Sequence, residues 1–372
     1  MHRVQFHYAL TRDSSPAQLR NPLIDLLQAV SQQGSISGGA RALNLSYRHV
    51  WGELKRWEHE LGNELLVWEK GRSARLTEFG TKLMWAERQA QARLAPQIEA
   101  LRNELERAFA VAFDAHAHVV TLYASHDHAL AALREQARGG TFGDGVTEQL
   151  HLDIRFCGSV DAIRGLNEGR CVMAGFHTLQ TPAPGSLIEK VYKPLLKPGL
   201  HKIIGFARRT QGLMLAPGNP LGLHSLADVH TKHARFVNRD IGTGTRVVLD
   251  ALLTQSGLDT TTFPGYERTE PSHSAVAQAI AAGAADVGLG IEAAAHAQGL
   301  GFIPLVQEHY QLVCLKSALD DPAIAAMLQL LQSPQWQAQL AALPGYTPWR
   351  CGEVLSLREV LPWWNFADKP VR

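Results

Sequence analysis

The apolar positions follow two regimes along the chain. Through about residue 113 they recur every three or four residues, the helical period, and from His118 short apolar runs alternate with helical segments. In the first regime Leu23, Leu26, Leu27 and Val30 predict a helix with one buried face. Gly34-Ser35 stops it, and Ser35 or Ser37 can cap an alanine-rich second helix that ends at Leu43. After an Asn44-Leu45 turn, Ser46 caps a longer helix whose Val50, Leu54, Trp57 and Leu61 face inward. Residues 65–68 and 74–76 predict two short strands joined by a basic tip, 69–73. Residues 78–113 predict a long helix carrying Leu83, Ala90, Leu94, Leu101 and Leu105 along a seam, which Pro96 kinks or restarts. Residues 4–10 predict a strand packed on this N-terminal domain.

The second regime predicts an α/β domain with a largely parallel sheet. Strands are expected at 119–124, 152–157 and 171–176, leaving Ser125, Ser159 and Thr178 at strand ends. A second lobe is expected from about residue 207, with strands at 212–216 and 235–238 and a strand at 285–290 rich in glycine. Ligands of open α/β sheets gather beyond the carboxyl ends of strands, where helix N-termini present free N–H groups. The loop Arg239-Asp240-Ile241-Gly242-Thr243-Gly244-Thr245-Arg246 opens a helix expected over 247–255, and such a loop suits an oxyanion. Arg246, with Arg239 beside it, would add charge-assisted bonds. Asn238, Thr243, Gly244, Thr245, Ser272, Ser274 and Tyr310 complete the candidate ligand set with Ser125, Ser159, Thr178 and Arg246. No GxxxxGK[ST] loop, nucleophile elbow, HExxH or dinucleotide fingerprint occurs. His126-Asp127-His128 is a consecutive triplet whose side chains are expected to diverge, which argues against a metal or acid–base cluster.

The N-terminal pattern is a helix-turn-helix followed by a hairpin wing. Its second helix would present Ser46, Tyr47, Arg48, His49, Lys55 and Arg56, with Ser35, Ser37 and Arg41 nearby and Lys70, Arg72 and Arg75 on the wing. Arginine suits guanine edges, while Ser, Tyr and Lys suit phosphates. Seven basic residues against five acidic ones between Arg41 and Arg75 leave a modest positive balance, whereas the whole chain carries only +1. GSISGGARALNLSYRHVWGELKRWEHELG, the wing and RLTEFG together resemble the N-terminal domain of LysR-type and molybdate-responsive ModE-type regulators, with the Ser-Tyr-Arg run before Val50-Trp51 closer to the latter. That resemblance implies double-stranded DNA as a partner, and a homodimer through the 78–113 helix would let two recognition helices read two half-sites.

The second half, through FVNRDIGTGTR, SHSAVAQAIAAGAADVGLG and EHYQLV, resembles the type II periplasmic-binding-protein fold as an effector domain, of the kind fused to ModE-type DNA-binding domains. It implies a two-lobed clamp around a small anionic effector, with molybdate or tungstate expected first and a small carboxylate such as formate second. The small oxyanion-binding barrels that ModE-type regulators carry have no counterpart here. The expected organisation is a winged helix-turn-helix at 1–77, a linker helix at 78–116, an effector domain at 117–350 (lobe I 117–206 and 291–350, lobe II 207–290) and a tail at 351–372 ending near Trp363-Trp364.

Composition adds exclusions. At 372 residues with 45% apolar content the chain can hold two or three packed domains. Cys157, Cys171, Cys314 and Cys351 show no CxxC pair or metal-ligand spacing, so free thiols are expected, with no protein-ligated metal and no cofactor. No secretory signal and no membrane-length apolar run occurs, which predicts a cytoplasmic protein rather than an exported transport binding protein. An enzyme with an accessory DNA-binding domain is the competing class.

Overall fold

The structure is a computed structural model that describes residues 21–67, 74–113, 118–139, 150–180 and 185–364. The strand expected at 4–10, the wing tip with Lys70 and Arg72, and the last residues of the tail lie outside them. The chain divides into two compact units, Met1–Ala95 and Pro96–Arg372.

In the first unit α1 (Pro22–Gln33) starts at an Asn21 cap with Pro22 in its first turn and stops at Gly34, whose φ of 64° suits glycine. Ser35, not Ser37, caps α2 (Ile36–Ala42): its Oγ accepts from the Gly38 amide at 3.0 Å, while Ser37 lies exposed one position inside the helix. Ser46 caps α3 (Tyr47–Leu61) through the His49 amide at 3.2 Å. The core is Leu23, Leu26, Leu27, Val30, Ile36, Val50, Leu54, Leu65 and Met84, with Trp57 and Leu61 half-buried at its edge. Strands β1 (Leu66–Val67) and β2 (Arg75–Leu76) pair antiparallel as the base of the wing. Helix α4 (Glu78–Phe113) continues unbroken through Pro96, the residue at which the two units divide.

The second unit is one curled sheet with helices on its faces. Its elements are β3 (His118–Ala124), α5 (His128–Gly139), β4 (Leu150–Phe156), α6 (Ser159–Asn167), β5 (Met173–Leu179), α7 (Leu187–Tyr192), β6 (His201–Leu215), α8 (Leu226–Thr231), β7 (Phe236–Arg239), α9 (Gly244–Gln255), β8 (Thr269–Glu270), α10 (His273–Ala281), β9 (Val287–Ile291), α11 (Glu292–Ala297), β10 (Gly301–Leu315), α12 (Pro322–Gln332), α13 (Pro334–Ala341), β11 (Tyr346–Pro348), β12 (Val354–Leu355) and α14 (Leu357–Val360). The strand order is β4-β3-β5-β10-β6-β9-β7-β8, with β11 and β12 also on β6. β3 pairs parallel with β4 and β5, and β7 with β8 and β9, but β10 and β6 run antiparallel to each other and to β5 and β9. The sheet is therefore mixed rather than largely parallel. The cause is two 15-residue strands that carry the chain out of one lobe and back. β6 is buried along nearly its whole length, so its apolar run does not alternate, and only its end, 212–216, reads as a strand in the sequence.

Lobe I holds β3, β4, β5 and the outer halves of β6 and β10; its two cores centre on Leu122, Ile154, Phe206 and Trp336 on one face and on Ile163, Phe176, Tyr192 and Ile203 on the other. Lobe II holds β7, β8, β9 and the inner halves, around Leu213, Phe236, Leu249, Phe263 and Leu289. Residues 351–364 are no separate tail, because β12 pairs with Ile203-Ile204 of β6 and Trp363 is buried in the second of the lobe I cores. From Pro96 onward α4 docks on lobe I through polar groups. Asn103 donates to the Ile154 carbonyl at 2.7 Å and accepts from Arg134 at 2.8 Å, Arg107 stands 3.5 Å from the buried Asp153, and His126 lies 3.6 Å from Glu99. The four cysteines are unpaired, and burial pushes the Cys157 thiol up to about 12 and the other three to about 11.

Candidate functional site

The first candidate surface is the face of α3. Because Val50 and Leu54 anchor its inner side, Tyr47, Arg48, Trp51, Gly52 and Lys55 share the outer one, and all are exposed. A Cβ on Gly52 would meet nothing, so this face is flat enough for close approach to a duplex. Lys55 pairs with Glu58 at 2.6 Å, and Arg56 pairs with Glu53 and lies 5.3 Å from the Trp57 ring. Exposed pairs of this kind hold a cation by at most about 1 kcal/mol, so both remain available to phosphates. Ser46 is exposed at the cap, as are His49 and Arg41, whose Nε reaches the Ser37 carbonyl at 3.4 Å, and Arg75 on β2. Trp51 was missed as a surface residue in the sequence because its apolar ring reads as core; it is 39% exposed.

Glu58 joins this face to the wing by accepting from the Leu65 amide at 2.9 Å and the Leu66 amide at 3.3 Å. Burial works against its ionised form, but Lys55 and the two amides outweigh it and hold the carboxyl below its ordinary value of 4.5. A carboxylate with a depressed folded value stabilises fully above its unfolded value and loses that contribution as pH falls through the folded one. The wing is therefore expected to loosen on acidification below about pH 4.5, and Glu58→Gln to flatten that response. Amide exchange at Leu65 and Leu66, followed from pH 6 to 3, checks it.

The second candidate site is interlobe. Asp127, just beyond β3, accepts from Arg209 of β6 and from the Tyr346 hydroxyl at 2.7 Å, and its other oxygen accepts from the Ala129 amide at 2.8 Å. Arg209 also donates to Glu308, its cross-strand neighbour on β10, and Glu308 in turn accepts from Gln211 at 2.7 Å. These residues stand where both long strands pass between lobes, next to the register shifts at Pro304/Val306 and Tyr310/Gln311. Burial opposes the Arg209 charge, but Glu308 and Asp127 outweigh it and raise its value; burial of Glu308 prevails over Arg209 and raises that carboxyl too.

The lobes meet around this pin. A Cβ on Gly244 would come within 2.8 Å of His177 and 3.2 Å of the Ser159 hydroxyl, and one on Gly158 within 2.5 Å of the Gly242 carbonyl. Only glycines let the starts of α6 and α9 approach so closely. Thr245 bridges Gln211 at 3.3 Å and His273 at 3.4 Å, and the His177 ring lies tilted at 41° against Tyr310 with ring centroids 4.0 Å apart. Burial first, and Arg209 and Arg239 after it, drive both His177 and His273 well below the ordinary histidine value, so both imidazoles are neutral at pH 7.

Arg239 is decisive here. It is 2% exposed at the end of β7, and its Nε and one terminal nitrogen meet no hydrogen-bond partner. Burial, partly offset by Asp240, lowers it to about 10, which leaves it charged at pH 7. The Ser125, Ser159 and Tyr310 hydroxyls and His273 Nδ1 are likewise buried without a partner. Unsatisfied buried polar groups each cost roughly 1–3 kcal/mol and a charge costs more, so their presence on both lobes marks this as a candidate binding site.

Other residues expected to bind ligand are engaged within the chain. Arg246 donates to the Arg239 and Tyr266 carbonyls at 3.4 and 3.3 Å and stacks 3.7 Å from the Tyr266 ring. Asn238 spans the Arg239 amide and the Tyr266 carbonyl. Thr243 caps α9, which begins at Gly244 rather than at 247, and donates to the Asp240 carbonyl. Ser272 caps α10, which begins at His273 and so takes Ser274, half-buried, into its first turn. Thr178 lies inside β5, paired with His309, because that strand extends to Leu179 rather than ending at 176. Asp127 was set aside with the His126-Asp127-His128 triplet, and Arg209 and Glu308 were not picked out from the sequence. Their signal is a pair of charges inside apolar strands, Arg208-Arg209 in β6 and Glu308 in β10. Among the described residues no group of three or more His, Cys, Asp or Glu side chains is placed to hold a metal, and no helix is long and apolar enough to cross a membrane.

A winged helix-turn-helix ahead of a two-lobed domain with a polar interlobe site defines the class of regulators that carry their own binding domain. The chain belongs to the PBP superfamily, whose domain matches residues 144–332, and residues 23–81 match the bacterial regulatory helix-turn-helix proteins of the lysR family. Its domain content is thus a lysR-family helix-turn-helix followed by a PBP-superfamily domain. The uncharacterized protein YvgK of Bacillus subtilis is 30% identical over 201 residues, 54% of this chain and 64% of that protein, so the chain spans less than two thirds of that relative. An uncharacterized protein from the 5′ region of a 2Fe-2S ferredoxin gene of Clostridium pasteurianum is 31% identical over 111 residues, 30% of this chain and 98% of its own. A C206 mutant of Corynebacterium glutamicum OxyR aligns over 88% of this chain and 96% of its own with a TM-score of 0.42 and 16% identity.

Proposed function

We propose that this chain is a cytoplasmic transcriptional regulator that binds double-stranded DNA through α3 and the wing and responds to a small anion held between its lobes. The observation that carries the proposal is Arg239, a buried guanidinium with unused donors, together with the buried hydroxyls of Ser125, Ser159 and Tyr310. Hydroxyls and the amides at the starts of α6 and α9 favour a compact oxyanion, with molybdate or tungstate first. A second reading, a small carboxylate such as formate, is favoured by the planar fork of Arg239, which suits a bidentate carboxylate. A thermal-shift series with molybdate, tungstate, sulfate, phosphate and formate tests both, since a ligand of the native state alone raises the melting temperature. Silence with every member would sink the small-anion reading.

Transmission has a short physical route. Asp127 holds Arg209 at the strand crossing, while the adjacent His126 faces Glu99 on α4. A ligand that favours one lobe arrangement thereby biases the contact that seats the helix; only differential affinity for the two arrangements supplies the energy. Leu101, 58% exposed, and Leu105 on α4 offer the surface for a homodimer. Arg48→Ala is expected to weaken binding to a duplex that the wild type protects by about 1–3 kcal/mol, roughly ten- to a hundredfold. Footprinting at fixed salt checks it, and unchanged protection would remove α3 from the recognition role.

A further inference from the structure

Glu308 is a buried acid to which an anion site by itself gives no role. It is fully buried at the strand crossing, and its two oxygens are held unequally: one faces the Arg209 guanidinium, the other accepts from the neutral amide of Gln211 at 2.7 Å. Asp127, the other carboxylate of the crossing, has three donors in Arg209, the Tyr346 hydroxyl and the Ala129 amide. Burial has already raised Glu308 above the ordinary carboxyl value against the pull of Arg209 and Gln211, and Asp127 adds to the rise.

Glu308 also lies just behind the start of α9, one of the two helix starts assigned to the anion. Gln211 Nε2 joins it to Thr245, in the first turn of that helix, at 3.3 Å. On the other side His177 Nδ1 stands 3.7 Å from Glu308, and the same ring is 2.8 Å from where a Cβ on Gly244 would be. Arg209 and Arg239 stand against Asp127 and Glu308, with Asp240 beside Arg239, so a buried anion adds a negative charge that no cation among these is left over to cancel.

The neighbours show where a compensating proton can go. His177 Nε2 lies 3.4 Å from an Arg209 nitrogen, which can only donate, so the neutral ring carries its hydrogen on Nδ1 and has no free lone pair. Burial, then Arg239 and Arg209, oppose a second proton on His273, whose Nε2 is 3.4 Å from the Thr245 hydroxyl. Tyr192, Tyr310 and Tyr346 already hold their protons, because burial raises all three. Glu308 has an acceptor beside it: Gln211 Oε1 is buried without a partner, and a half-turn of that amide brings it to the Glu308 oxygen that Nε2 now serves.

We propose that the interlobe site binds its anion together with a proton, taken from solvent by Glu308 as its carboxylate becomes a carboxylic acid, so that sensing tightens as pH falls. The proposal rests on the cleft being an anion site. A bound anion raises Glu308 further, so the bound state holds more protons than the free one. Affinity therefore rises with falling pH across the interval between the free and bound values, both above 4.5.

The test is calorimetry of the full chain with sodium molybdate and with sodium formate, both fully ionised between about pH 6 and pH 9. Buffers of different ionisation enthalpy count the protons taken up per anion bound. The wild type is expected to take up at least about 0.3 proton within that range, with affinity rising at least about twofold per unit of falling pH. Glu308→Gln is expected to bind the same anion with no uptake and no pH dependence. Independently of how that variant folds, molybdate should bring up a carboxylic-acid stretch in the infrared difference spectrum of the wild type. Wild-type binding without proton uptake overturns the coupling alone. Uptake that persists in Glu308→Gln, or that comes without the carboxylic-acid band, assigns the proton to another group and overturns it equally. Binding of neither anion overturns the anion site and the coupling together.

Discussion

Replacing Arg209 by methionine is expected to cost the second unit about 3–5 kcal/mol of unfolding free energy, the largest loss of any single change at the lobe junction. The guanidinium is 1% exposed and stands between Asp127 and Glu308, so its removal leaves two carboxylates facing each other with no cation between them. Glu308 already sits above the ordinary carboxyl value because burial outweighs Arg209, and without Arg209 it would be raised further. Urea unfolding monitored by tryptophan fluorescence measures the loss, because Trp336 and Trp363 are buried in the two lobe I cores. Adding Asp127→Asn and Glu308→Gln to the methionine variant should restore part of the loss by removing the stranded charges. A loss below about 1 kcal/mol would show that the junction is held by packing rather than by this pin.

Arg239→Gln should behave in the opposite way. Its guanidinium is buried with unused donors and is lowered to about 10 by burial, so the ligand-free protein gains little from it. The ligand-free variant is expected to be as stable as the wild type or slightly more so, and its response to the effector should vanish. At a ligand concentration one hundred times the dissociation constant, the wild type gains about 2.7 kcal/mol and the variant nothing. Melting curves with and without the anion separate the two effects. If Arg239→Gln destabilised the ligand-free protein by several kcal/mol, the arginine would be a structural support and the site would lack its principal donor.

The helix-turn-helix was legible because local physics decides it. Three-residue and four-residue spacing, Ser35 and Ser46 as caps, and Gly34 as a left-handed stop each act within one turn of chain. The two-lobed fold was legible at the level of alternating strands and helices. The glycine-threonine loop at 239–246 does lie where the lobes meet, but two of its polar side chains face the wrong way for the role expected of them. Thr243 closes its own helix and Arg246 stacks on Tyr266, because a capping hydroxyl and a long side chain find partners close by in sequence. The pin could not be read in this way, since Arg209 meets partners 82 and 99 positions away. Its only mark is charge within strands otherwise apolar, and without knowing that β6 and β10 pair along their whole length, such charges look like strand ends.

Those two strands also settle how the molecule could be taken apart. Chain enters lobe II at about Arg209 and leaves it at Glu308, and these two residues are neighbours across the sheet. Lobe II is therefore a cassette nested inside lobe I, with its entrance and exit side by side. Half of the interlobe site, including Arg239, travels with that cassette, whereas the seat of α4 on lobe I does not. Exchange of this single continuous segment between related genes would alter what is sensed while leaving the output machinery in its original reading frame and its original place.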